Sequence, residues 1–220
     1  MLPFTTDQFL ANLAAYNQAF WPVQLAALGL GGCAVVLLLL RPGMADRLIT
    51  FILAAMWLWT GIAYHWLYFS RINQAAVSFG ALFVAQAALL AHVGIRKQLR
   101  FGRGFGPAVG VGIAFVGYAI VLYPLIGTWT GHAYPRTPAF GVTPCPVTIF
   151  TFGLLLLAKQ PPPRPLLVVP LIWSLIGGSA AFLLGVPQDW LLLASGVIAV
   201  PLIVLGDRRH ARAPSAEKPA

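Results

Sequence analysis

Acidic residues are nearly missing from this sequence: Asp and Glu together number 5 in 220 positions, and all charged residues make up 9%. Water-soluble domains carry about 25% charged residues, because a surface facing water needs them. The scarcity excludes an ordinary soluble globule and points to lipid as the solvent. Cysteine is almost as rare, with Cys33 and Cys145 alone. Without a CxxC pair they provide neither a disulfide framework nor a zinc-ribbon spacing. Cys33 is expected about 18 Å along its helix from Trp21, whereas Cys145 falls at the start of another helix, so a bridge between them is excluded. Positions 1–40 hold no Lys or Arg. A cleavable signal peptide needs a basic n-region, so the first apolar span is expected to be retained.

What is present is apolar. Hydrophobic residues make up 59% of the chain, and the mean hydropathy is +0.82. A membrane-crossing helix needs about 20 mainly apolar residues. The runs that qualify cover 20–40, 48–69, 75–95, 107–126, 144–158, 166–184 and 190–205, the fifth and seventh being short. The expected fold is an all-α membrane protein, a seven-helix transmembrane bundle over 20–205.

The formal charge of +9 arises from basic residues that punctuate the apolar runs instead of clustering, which excludes nucleic acid as a partner. With the N-terminus outside and the C-terminus cytoplasmic, Arg41, Arg47, Arg96, Lys97, Arg100, Arg103, Lys159, Arg164, Arg208, Arg209, Arg212 and Lys218 all fall inside. Only Arg71 and Arg136 fall outside. Positively charged loops stay cytoplasmic, so this orientation is expected, in a membrane of the inner (plasma) type. Trp21, Tyr64, Trp66, Tyr68, Tyr123, Trp129, Tyr134 and Trp190 then form an aromatic belt at the outer ends.

Positions 1–19 are too polar to span. Thr5 and Gln8 fit a capping box, and Phe9, Leu13, Tyr16 and Phe20 recur at helical spacing, so an amphipathic helix on the outer surface is expected. Positions 206–220 are polar and hold Pro and Ala, as in a disordered cytoplasmic tail. An internal repeat is also visible. Leu37–Leu40 precedes a basic turn and Trp57-x-x-x-Gly61, and Leu154–Leu157 precedes a basic turn and Trp173-x-x-x-Gly177. A parallel arrangement of three spans, a linking fourth and three more would follow, as in some transporter folds. Glycine clusters within the spans, such as Gly29, Gly31 and Gly32 or Gly177 and Gly178, read as close helix contacts. The run Gly102-x-Gly104-x-Gly106 follows no strand and lacks the lysine of a phosphate loop.

No Asp, Glu, Lys or Arg falls near the middle of a span, which counts against proton-driven exchange. The ligand or pore candidates are Gln86, Trp57, Trp59, Trp173 and Ser174. Gln86, near mid-depth, is equally a source of an interhelical hydrogen bond. The outer side is chemically richer. Thr143 suits an N-cap and Pro144 the first helical position, placing Cys145 in a first turn that favours a thiolate. His65, His132, Cys145 and Asp189 share that side and are soft or borderline ligand types. They are candidates for a metal or thiol site, although no two have a metal-ligand spacing.

The motifs 57–61 (WLWTG), Tyr64-His65-Trp66, 144–153 (PCPVTIFTFG) and 173–182 (WSLIGGSAAF) resemble an uncharacterised family of bacterial integral-membrane proteins, a domain of unknown function. The resemblance implies a multipass bacterial membrane protein and lends no catalytic residue. No acid–base or nucleophile–base pair can be read, so enzymatic activity is not expected. The expected role is transport or permeation of a small molecule or ion. The alternatives are an outward-facing protein that binds or senses an apolar ligand or a thiophilic metal, and a structural subunit. The bilayer is the one partner required. No cofactor is required, while a bound metal, self-association and a membrane-protein partner stay open.

Overall fold

The computed structural model describes residues 2–102 and 107–212. Helix α1 (Thr6–Ala19) opens with the expected capping box: the Thr5 hydroxyl accepts from the Gln8 amide at 3.2 Å, and the Gln8 side chain accepts from the Thr5 amide at 2.9 Å. Helix α2 (Trp21–Leu40) ends at Arg41 in the left-handed region (φ 53°). Helix α3 (Ala45–Trp59) continues as a π-helical segment, Thr60–Trp66, before α4 (Ala76–Ile95). Helix α5 (Pro107–Gly117) passes through a second π-helical segment, Tyr118–Leu122, into α6 (Tyr123–Trp129). Then come α7 (Pro144–Leu156), α8 (Pro165–Leu184) and α9 (Trp190–Arg212). Among the described residues there is no strand, only an isolated bridge between Phe101 and Ala158.

Among the described residues, six stretches are long and apolar enough to cross a membrane: Trp21–Leu40, Ala45–Arg71, Ala76–Ile95, Ala108–Trp129, Pro165–Leu184 and Pro187–Gly206. The run read at 144–158 behaves differently. Its helix α7 has 13 residues, about 20 Å at 1.5 Å per residue, short of a hydrocarbon core about 30 Å thick. Every one of those residues is buried. Helix α7 is therefore the axle of the bundle, packed among α3, α5, α8 and α9.

Glycine makes that axle possible. A Cβ on Gly112 would come within 2.9 Å of the Gly153 carbonyl oxygen, and one on Gly153 within 3.0 Å of the Gly112 oxygen. The backbones of α5 and α7 thus touch where neither has a side chain, the small-residue contact that replaces hydrophobic driving force in lipid. Polar groups on α7 are satisfied internally, with Thr148 and Thr151 each donating to the carbonyl four residues back.

Basic connections gather at one end of the bundle. There Lys159 donates its amide to Arg100 (2.7 Å), Gly102 to Leu157 (2.9 Å), and Phe101 to the Asp46 carboxylate (2.9 Å). Gly102 thus belongs to a clasp between two connections, while Gly104 and Gly106 lie outside the described residues. Helix α9 continues to Arg212, into the segment read as a tail, and 213–220 lie outside the described residues. The two helices aligned in the apparent repeat occupy unlike places: α2 buries only Ala27, Gly31 and Ala34, whereas α7 is wholly enclosed.

Candidate functional site: a pocket beneath the N-terminal helix

At the end opposite the basic connections, α1 is docked onto the bundle. Leu13 and Tyr16 are fully buried, and Phe9 and Leu10 nearly so. The Tyr16 hydroxyl donates to the Val142 carbonyl at 2.7 Å and accepts from Trp59 Nε1 at 2.8 Å. Burial pushes its phenol well above the ordinary tyrosine value. Asn17 Nδ2 donates to the Pro135 and Thr137 carbonyls at 2.6 and 2.7 Å, and Gln24 donates to the Asn17 side chain at 2.9 Å. These bonds tie α1 to the irregular 130–143 connection. Such backbone is tolerated beside apolar helices only where protein supplies its partners.

Beneath α1 lies a cavity of about 140 Å³. Its roof is Phe4 and Phe9; Phe69 stands edge-on to Phe4 at 5.4 Å and stacked with Tyr64 at 5.5 Å. One wall is α8, from Trp173 to Leu184, with Phe79 packed edge-on to Trp173 at 5.4 Å. Asn73, Thr143, Cys145 and Asp189 bring polarity to this mainly apolar lining, and Asp189 is its one acidic residue. The Asp189 carboxylate accepts a hydrogen bond from the Tyr123 hydroxyl, and the Cys145 thiol lies beside it. Trp173 Nε1 points toward that thiol without reaching hydrogen-bond geometry. Both π-helical segments border the site, one carrying Tyr64 and His65, the other leading into Tyr123. Segments of this kind recur at functional sites because the extra residue re-aims side chains.

The candidates read from sequence separate into two groups. Cys145, Asp189 and Trp173 come together at the cavity. His65 stands behind it, fully buried, its ring against Phe83 (4.7 Å) and Trp173 (5.1 Å), with both nitrogens unpartnered. His132 is half-buried in the 130–143 connection, its amide donating to Gly127 at 2.8 Å. Among the described residues, no three of His, Cys, Asp and Glu converge as a metal would require. Cys145 does occupy the first turn of α7, but it is buried against a carboxylate, not in the accessible electropositive setting of a reactive thiol.

Gln86, Trp57 and Ser174 have structural partners. Gln86 Nε2 donates to the Leu166 carbonyl at 3.0 Å. That carbonyl would ordinarily accept from residue 170, which is Pro170 and has no N–H. Gln86 therefore supplies the donor that proline removed. Trp57 Nε1 donates to Thr151 at 2.9 Å, and its ring packs on Phe83 at 4.4 Å. The Ser174 hydroxyl donates to Leu171 at 2.8 Å, and its side chain occupies the space that a Cβ on Gly196 would need. Trp59 acts through Tyr16.

Tyr123 and Tyr16 were legible only as belt and amphipathic-face residues. Nothing in sequence pairs Tyr123 with Asp189, 66 positions apart, or Tyr16 with Val142, 126 apart. Gln188 carried no signal; it is fully buried, its carbonyl accepts from the Tyr118 hydroxyl at 2.7 Å, and its side-chain amide has no partner.

Fold and site together define a class: a multipass helical membrane protein with an aromatic pocket closed by its N-terminal helix. Within that class, the chain belongs to a family of unknown function (DUF6064), whose model matches residues 6–214. No curated protein and no solved structure matches it.

Proposed function

We propose that this protein is a membrane-embedded receptor for a small, largely apolar molecule, held in the pocket beneath α1. The carrying observation is the cavity of about 140 Å³, with aromatic rings above and Cys145 and Asp189 below. Ligand sites take this form: an apolar enclosure with a few placed polar groups. A dry cavity of about 150 Å³ accommodates a benzene-sized molecule. Permeation has less support, because the bundle centre is filled by α7 and the Gln86 side-chain amide N–H is engaged by Leu166.

The chain crosses the bilayer seven times in this reading, α7 being the enclosed crossing, with α1 outside and the basic end in the cytoplasm of a bacterium. Support comes from the basic residues at the connections opposite α1. A C-terminal green-fluorescent fusion should be bright and a C-terminal alkaline-phosphatase fusion inactive; the reverse pattern would overturn the orientation.

Binding is tested with purified protein in lipid nanodiscs titrated with benzyl alcohol by calorimetry. Saturable binding is expected, and Ala180→Phe, on the cavity wall, should remove it without lowering the ligand-free melting temperature. Absence of saturable binding to the wild type would end the receptor reading.

A further inference from the structure

The floor of the pocket carries more charge than a purely apolar ligand would use. Asp189 is 3% exposed yet lines the cavity. Its hydrogen-bond donor, the Tyr123 hydroxyl, and its neighbour, the Cys145 thiol, are both neutral, and no cationic side chain pairs with it among the described residues. The residue sits immediately before α9, where unpaired helix N–H groups favour a carboxylate. Neutral donors offset only part of the cost of an anion in apolar surroundings; a cation offsets the rest.

The surrounding rings favour the same sign of charge. Tyr64, Phe69, Phe79 and Trp173 line the space above the carboxylate, and Phe4 and Phe9 close it. Aromatic faces attract an ammonium group through the ring quadrupole while also suiting hydrocarbon. An anion would meet the carboxylate. A neutral alcohol would gain a hydrogen bond but leave the charge unbalanced. A metal ion would find only Cys145 and Asp189, with no third His, Cys, Asp or Glu joining them among the described residues.

We propose that the pocket takes a small lipophilic amine, its ammonium paired with Asp189 and its hydrocarbon body under Phe4 and Phe9. The inference rests on the receptor reading and narrows it to one ligand class. The cavity volume limits the body to one ring or a chain of similar bulk. Ile176, 42% exposed on α8, also lines the cavity, so one wall of the pocket reaches the side of the bundle, where an amphiphile partitioned into the bilayer would meet it.

The test uses the whole protein in nanodiscs and three probes of one shape: benzylamine, protonated at neutral pH, benzyl alcohol and benzoate. Benzylamine should bind about tenfold more tightly than benzyl alcohol, with benzoate not binding. In Asp189→Asn the tenfold ratio of amine to alcohol affinity should collapse to about one, and the melting temperature of the variant reports whether the fold is intact. Equal affinity of amine and alcohol for the wild type, or an amine preference that survives Asp189→Asn, would overturn the ligand class and leave the receptor reading standing. If no probe binds, both fall together. Should Asp189→Asn fail to fold, the wild-type ranking of the three probes decides alone.

Discussion

Helices α2 and α7 are both uncharged and almost entirely apolar, yet they occupy opposite environments. Helix α2 packs mainly on α3 and presents Leu25, Val36, Leu39 and Leu40 outward. Helix α7 presents nothing outward. Hydrophobicity records exclusion from water and is silent on whether the replacement is lipid or protein. Length and polar detail separate the two cases. A helix of 20 residues can cross lipid alone, whereas one of 13 needs protein at its ends. The enclosed helix also makes the Gly153 contact with α5 and accepts the Trp57 Nε1 hydrogen bond at Thr151, neither of which lipid can supply.

The sharpest way to break this comparison is to add the same bulk to both helices. Gly153→Leu on α7 should destabilise by about 3 kcal/mol or more, because the added side chain meets the α5 backbone with no room to relax. Its melting temperature in nanodiscs should collapse. Gln86→Leu comes next, at about 2 kcal/mol, since it leaves the Leu166 carbonyl buried and unpaired. Adding Pro170→Ala restores a backbone donor to that carbonyl and should recover much of the loss, as a double-mutant comparison of melting temperatures would reveal.

Tyr16→Phe should cost about 1 kcal/mol, felt locally as faster hydrogen exchange in α1 with little change at α7. Alkaline pH sharpens the same point. The buried phenol has a raised pKa, so an undocked Tyr16 ionises first, at its ordinary value of 10.0. Docking of α1 is thus fully kept below that pH and weakens as pH rises above it, which exchange rates at increasing pH would follow. Smallest of all is Gly29→Leu on α2, where an added Cβ meets nothing within 4 Å. A change under about 0.5 kcal/mol is expected.

The lining of the candidate pocket was partly readable. Cys145 and Asp189 stood out as metal or thiol ligands and Trp173 as a ligand or pore residue, and all three line the cavity without three metal-ligating residues converging among the described residues. His65 and His132 drew notice on the same grounds yet do not line it, His65 standing behind the rings that do, because sharing one end of a bundle leaves lateral position undetermined. Tyr123 and Tyr16 were missed as site residues for the converse reason: an aromatic at a helix end has a sufficient explanation as a belt residue. The internal similarity of the first and fifth apolar runs went with unlike surroundings, since leucine-rich helices resemble one another whatever they pack against.

By itself the sequence determined the solvent class, the all-helical architecture, the limits of the apolar runs and the capping box of α1. Those properties depend on composition and on residues within a turn or two of each other. The tertiary structure alone decided that α7 is the axle, that Gln86 repairs a gap left by a proline, and that α1 roofs a pocket floored by Asp189. Each of these joins residues dozens of positions apart, and only packing sets which helix faces meet.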